Sequence, residues 1–331
     1  MRKLTPPRAL ALLFLLGLAA ALLSLLLGSS RTSPAALLSA LAAGESDPVF
    51  RILVYVRLPR TLAAALAGAA LGLSGVLIQA VLNNAMASPN VIGVNAGAGF
   101  CVLLAVVLFP SLPGLLPAAS FGGALAAALL IYALAARAGL SRTTLILAGV
   151  TISSMLTAGA NTLTLLFPNA SVRESAFMLG GFSGVTMGSV LGALPYLLAG
   201  FLLAAFLAVD LDILQLGEES AASLGLSVGR VRFFAILAAA LLAGAAVSFA
   251  GLLGFVGLLA PHMARRLVGS GHRSLMPATI LFSADLVLLC DVLARVLFAP
   301  FELPVGILLS LLGGPFLLGL LLRRKRSRIH E

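Results

Sequence analysis

The sequence predicts an all-α, polytopic membrane protein with ten transmembrane helices per subunit, on three observations. Of its 331 residues, 61% are hydrophobic and only 10% charged, and the mean hydropathy is +1.14. A soluble domain is about 45–50% apolar and about 25% charged. Ten apolar runs recur along the chain, each close to the ~20 residues that a helix needs to cross a bilayer. With ten spans and both termini on one side, that side holds fifteen of the 21 Lys and Arg residues; the other holds only Arg31, Arg51, Arg57, Arg60, Arg173 and Arg295. Such a bias marks the cytoplasmic side, and it favours an even number of spans, since dropping one would carry the basic tail 323–328 across.

The runs fall at 9–28, 61–82, 91–109, 115–136, 143–166, 188–209, 233–250, 252–268, 276–297 and 304–322, within one transmembrane domain covering 1–331. The first could pass for a signal peptide, but Ala9 to Leu27 is long for one and no small-residue cleavage site follows, so it reads as an uncleaved span. The second opens after "RLPR", 57–60, which places two fixed cations at the lip of a charge-free helix. The third opens in "NNAMASPNVIGVNAGAGF", 83–100, where paired Asn, a Ser-Pro-Asn turn and Asn95 among glycines suit backbone that lines a cavity. Runs seven and eight meet in "FAGLLGFVGLLAPH", 249–262, which allows either two spans with a tight turn or one span and a broken helix. Gly68–Gly72, Gly93–Gly97, Gly180–Gly184 and Gly184–Gly188 have the spacing by which helix backbones approach in lipid. Cys101 and Cys290 sit in apolar runs and read as small core residues rather than a disulfide framework.

The same residues exclude several functions. Basic side chains are scattered through short loops without stacking aromatics, which argues against nucleic-acid binding. The two lysines, Lys3 and Lys325, follow no glycine-rich phosphate loop, so any ATP must be used by another subunit. His262, His272 and His330 have no ligand spacing, and no nucleophile–base set stands out, so the chain predicts no cofactor, no metal and no catalytic residue. Two polar features remain. The loop 210–232 carries Asp210, Asp212, Glu218 and Glu219, and Gly217 and Gly225 divide it into two short helices suited to a cytoplasmic partner. Span nine carries Asp291, which pairs with Arg295 at i,i+4, and Asp285, which has no local partner and would be the coupling site if the protein were an ion-driven secondary transporter.

Seven stretches in order resemble one family: "RLPRTLAAALAGAALGLSGVLIQ" (57–79), "NNAMASPNVIGVNAGAG" (83–99), "LILAGVTISSM" (145–155), "FMLGGFSGV" (177–185), "LGEESAASLGLSV" (216–228), "GFVGLLAPHMARRLVGSGHRSLMP" (254–277) and "DVLARVLFAPFELPVGILLSLLGGPFLLGLLLRR" (291–324). They are similar to the permease subunits of type II ABC importers for iron-siderophores, haem and cobalamin, the FecCD-like family. The resemblance implies a homodimer in a bacterial or archaeal cytoplasmic membrane, with both termini cytoplasmic. Two ATPase subunits would consume ATP and Mg, and an extracytoplasmic binding protein would deliver a metal chelate. Arg57, Arg60 and Arg295 would dock that binding protein. Leu216, Gly217, Glu218, Glu219, Ala222, Leu224 and Gly225 would couple to the ATPase. Asn95 and the segment Ser141, Arg142, Thr143 and Thr144 would line or gate the path. Arg142 departs from the small polar residue the family carries at the gate, and Asp285 from a small or apolar one.

Overall fold

The computed structural model describes residues 5–28, 39, 42–297, 299 and 301–327. Their regular structure is helical throughout: α1 (Pro6–Leu26), α2 (Pro48–Ile52), α3 (Leu58–Val81), α4 (Val94–Leu108), α5 (Leu116–Arg137), α6 (Arg142–Leu166), α7 (Pro168–Leu179), α8 (Met187–Phe206), α9 (Ala208–Leu214), α10 (Glu218–Ser223), α11 (Val228–Ala250), α12 (Val256–Val268), α13 (His272–Val296) and α14 (Val305–Ser327). Of the basic residues in the charge count, Arg2, Lys3, Arg31 and Arg328 lie outside the described residues.

A helix overlies each apolar run, but the lengths differ from the expectation. Seven stretches among the described residues are long and apolar enough to cross a membrane: α1, the continuous Pro48–Val81, Pro113–Arg137, α6, α8, α11 and α13. Expected span two thus reaches back through α2 and a π-turn at Leu53–Arg57. Expected spans three and eight are shorter helices, each for a local reason. Pro89–Ile92 takes a 3-10 turn and Gly93 a left-handed one (φ 74), so α4 starts only at Val94. Gly251 (φ 67) and Phe255 (φ 65) bracket an extended piece, so α11 and α12 are separate helices joined by irregular chain rather than by a tight turn.

That irregular chain is satisfied within the protein. The Leu252 amide donates to Phe177 O at 2.9 Å, Gly181 N to Ala250 O at 2.8 Å and Gly306 N to Gly180 O at 3.1 Å. Residues 180–185, 251–255 and 303–306 therefore brace one another, as backbone at membrane depth requires. This also explains why Gly180–Gly184–Gly188 is not a packing face: the first part is non-helical, and Gly184 meets nothing within 4 Å.

Helix α3 is the axis of the bundle. Its best apolar window, within Pro48–Val81, is 83% buried, whereas that of α1 is 22% and that of α6 17%. It is enclosed by α8, α11, α12 and α13; α1 packs outside α13, and α4, α5, α6 and α7 form a second group tied in through α11. Small residues make the enclosure possible. Gly68 and Gly72 lie against Ser283 of α13, and Gly75 lies against the Gly257 carbonyl of α12, closer than any Cβ would allow. Van der Waals contact at this range replaces the hydrophobic drive that lipid does not provide. Gly75→Ala is expected to destabilise the purified protein by about 1–3 kcal/mol through overpacking. Gly122→Ala, where nothing lies within 4 Å, is expected to be neutral or stabilising; thermal unfolding in detergent measures both.

Candidate functional site

The chain's polar groups gather at two ends of the bundle and along one helix face. At the first end α1 finishes, α3 begins and α13 finishes. Arg57, in the turn leading into α3, donates from Nη1 to the carbonyls of Leu25 (2.6 Å) and Leu26 (3.0 Å), capping α1. Arg60 grips the Asp291 carboxylate with Nε (3.0 and 3.1 Å) and Nη2 (2.9 Å), and its Nη1 reaches Glu302 at 2.7 Å. Arg295 forms the i,i+4 ion pair with Asp291 at 3.0 Å and donates to Ser24 Oγ at 2.8 Å and Leu27 O at 3.0 Å. Ser24 in turn bonds Thr61 at 2.7 Å. Three arginines and two carboxylates thus form one cluster with a net charge of +1.

This geometry differs from three forks held out to solvent. Arg57 is 5% exposed, Arg60 7% and Arg295 2%, with Asp291 at 0%. The arginines clamp α1, α3 and α13 together. Glu302, its side chain 31% exposed, is the rim of the cluster. It borders a cavity of about 140 Å³ lined also by Arg60, Gly180, Phe182, Ser183 and Pro304.

The second end collects α9, α10 and the starts of α6, α11 and α13. The loop expected to split into two short helices does so, with Gly217 (φ 108) and Gly225 (φ 83) bounding α10. Leu216 (64% exposed), Glu219, Ala222, Leu224 (65% exposed) and Gly225 face outward, Gly217 and Glu218 are half-buried, and Ala221 is buried against the bundle. Glu218 accepts from the buried Arg232 and lies 3.4 Å from Arg142 Nε. Asp212 accepts from the His272 amide at 3.0 Å and lies 2.6 Å from its Nδ1, fastening α9 to the start of α13. Neither Arg232 nor the Asp212–His272 pair stood out in the sequence, because their partners lie 14 and 60 residues away.

Ser141 caps α6, its Oγ accepting from Thr144 N at 3.1 Å, while Thr143 is exposed and Arg142 half-buried beside Glu218. Along α6, Thr151, Ser154, Thr157, Asn161 and Thr164 are exposed. Gly149 seats that helix on the Val91 carbonyl, in the turn before α4, and Asn95 lies half-buried in the first turn of α4. Asp285 is apart from all of these. It is 7% exposed, and Gly17 of α1 stands opposite, where a methyl would come within 2.7 Å of Oδ1. It faces a helix interface, not the polar face of α6.

Glu174, on α7, was not singled out. It is 3% exposed, and its Oε1 has no hydrogen-bond partner among the described residues. Burial pushes its pKa up from 4.5 to about 7. The fold favours the protonated form, so this group's contribution to stability is complete below the ordinary value and is lost as pH rises through about 7. The unfolding temperature is therefore expected to fall across that window, and Glu174→Gln to flatten the fall. At the arginine cluster, Asp291→Asn leaves buried guanidinium charge uncompensated and is expected to cost about 3–5 kcal/mol. Glu302→Gln, at the rim, is expected to cost under about 1 kcal/mol; thermal unfolding at matched pH separates the two.

Comparison with known proteins places this architecture. Residues 14–323 match the FecCD transport family. The chain is 38% identical over 289 residues to the hemin transport system permease protein HmuU of Yersinia pestis, covering 86% of each chain. It is 37% identical over 319 residues to the Fe(3+) dicitrate transport system permease protein FecD of Escherichia coli, covering 96% of this chain and 99% of the relative. A solved structure described as an inward-facing conformation of a metal-chelate type ABC transporter superposes with a TM-score of 0.85 at 31% identity, covering 96% of this chain and 99% of the other. The chain belongs to the FecCD transport family, and it is a membrane permease subunit of an ABC importer rather than an enzyme.

Proposed function

We propose that two copies of this chain form a homodimer around a central path, and that the pair moves an iron chelate or haem into the cytoplasm across a bacterial or archaeal inner membrane. The observation that carries this reading is the outer face of α6. A span that buries only Leu145, Gly149 and Ala160 within its own chain and exposes Thr151, Ser154, Thr157, Asn161 and Thr164 is badly matched to lipid, where exposed polar groups are costly. It is well matched to a wet path shared with a second copy, in which Asn95 and the α6 start, Ser141 to Thr144, sit near the inner mouth. The relatives' names, for hemin and ferric citrate, favour iron compounds over cobalamin.

In this reading the arginine end faces outward and both termini are cytoplasmic. A binding protein with acidic lobes is drawn by the net positive charge around Arg57, Arg60 and Arg295, and it meets the chain at the Glu302 rim. Because the guanidinium groups already hold intrachain partners, the attraction steers and orients more than it tightens. The exposed Leu216, Glu219, Ala222, Leu224 and Gly225, with Gly217 and Glu218 behind them, form the seat of the ATPase. That partner uses ATP and Mg, and this chain holds no cofactor of its own.

Reconstitution with its ATPase and binding protein in liposomes tests the reading. ATP-dependent uptake of haem or a ferric siderophore is expected. In a background with Cys101 and Cys290 replaced by Ala, Ser154→Cys and Asn161→Cys are expected to react with a membrane-impermeant thiol reagent, while Leu202→Cys on α8 is not. Uptake without the ATPase, or equal silence of all three cysteines, would contradict it.

A further inference from the structure

We propose that Arg142, Glu218 and Arg232 form a clasp that carries movement of α10 to the base of α6; this rests on the reading of α9–α10 as the ATPase seat. Helix α10 is six residues long and stands between two glycines in left-handed backbone, Gly217 (φ 108) and Gly225 (φ 83). Only such φ values let the chain turn sharply on both sides, so α10 is a small rigid piece on two joints. Its inward anchors are Ala221, fully buried, and the Glu218 carboxylate.

Glu218 is held from two sides with unequal strength. Arg232 is 2% exposed; its Nη2 donates to Glu218 Oε1, and its Nη1 donates to the Leu140 carbonyl at 2.6 Å. Removing Glu218 would leave that guanidinium buried and unmatched, so this contact persists while α10 is pushed. Arg142, at the first position of α6 and about a third exposed, meets the same oxygen at 3.4 Å. This is a longer contact that solvent can break and remake.

The far end of the clasp is itself a joint. Gly139 (φ 96) and Leu140 (φ 46) both take left-handed backbone between α5 and α6. For leucine that conformation is costly and needs outside support. The Leu140 amide donates to Ala135 O at 2.7 Å, and Arg232 holds its carbonyl. One buried arginine therefore grips both α10 and the Gly139–Leu140 turn before the span that exposes the polar face. A push on Leu216 or Leu224 reaches the start of α6 through two charge-assisted bonds, without a change anywhere along the span. Arg232 and Glu218 act here as positioning residues. Arg142 gives the clasp a second grip on the start of α6.

The test uses the full complex in liposomes, with haem and a ferric siderophore as cargo. The readouts are cargo moved per ATP hydrolysed, ATPase co-purification and unfolding temperature. Glu218→Gln is expected to lower the transport ratio about tenfold and Arg142→Gln by a smaller factor, with the double variant no worse than the poorer single and the ATPase still bound by Arg142→Gln. An unchanged ratio, additive losses or loss of the ATPase from Arg142→Gln would overturn the clasp. If the unmodified complex moves neither cargo, the transport reading fails instead. The clasp is then judged on unfolding temperatures: non-additive shifts in the double variant support it, and additive ones refute it.

Discussion

The structure depends on backbone contact along α3. Lipid offers helices no hydrophobic reason to associate, so packing must come from close fit. Gly68, Gly72 and Gly75 supply it by letting α13 and α12 lie against the α3 main chain. The consequence reaches both functional ends, because α3 positions a polar residue at each. Arg60 begins it, within reach of Asp291 on α13. Gln79 nearly ends it, accepting from Arg265 of α12 at 2.6 Å and donating to Ala87 O at 3.2 Å. A small change in the α3–α13 spacing would therefore disturb the arginine cluster, and one in the α3–α12 spacing the turn before α4.

The arginine cluster is a device for register more than for stability. Taking charges out of water costs several kcal/mol per ion, and a well-placed partner roughly offsets that cost. What the cluster secures is α1. That helix is mostly exposed, and besides its small-residue face it is held by Arg57 and Arg295 bonding the carbonyls at its end. Asp291, shared between Arg60 and Arg295, sets the rotation of α13 against α3. Polar specificity at a helix end thus does what apolar burial does in a soluble core.

Hydropathy made the order of the apolar segments legible, since length and lack of charge are local properties. It misjudged their helical lengths wherever one residue in left-handed backbone outweighed an apolar run: Gly93 before α4, and Gly251 and Phe255 around the extended link to α12. The site was legible in the same proportion. Asp291 with Arg295 could be read from an i,i+4 spacing, and the division of the loop 210–232 from two glycines. The capture of Arg60 by the same Asp291, 231 residues away, has no local signal. Nor does the grip of Arg232 on Leu140, 92 residues away. Charge counts place an arginine on one side of a membrane; they do not say whether it faces solvent or fastens helices.

Helix α6 shows why these distant contacts matter. Along its length it makes little contact with its own chain, apart from α4, α5 and the Val91 turn. Its ends are different. The start is capped by Ser141 and lies beside Glu218 and the gripped Leu140 hinge. The far end runs into α7, whose last carbonyls are braced by the 251–255 and 303–306 segments. A helix held at its ends and mostly exposed between them can tilt as a rod, keeping its internal hydrogen bonds. That is the cheapest motion available in a bilayer, where a broken backbone bond has no water to replace it. The polar face of α6 can therefore change its tilt without exposing new main chain, and the work needed is set by its two end joints, not by the span.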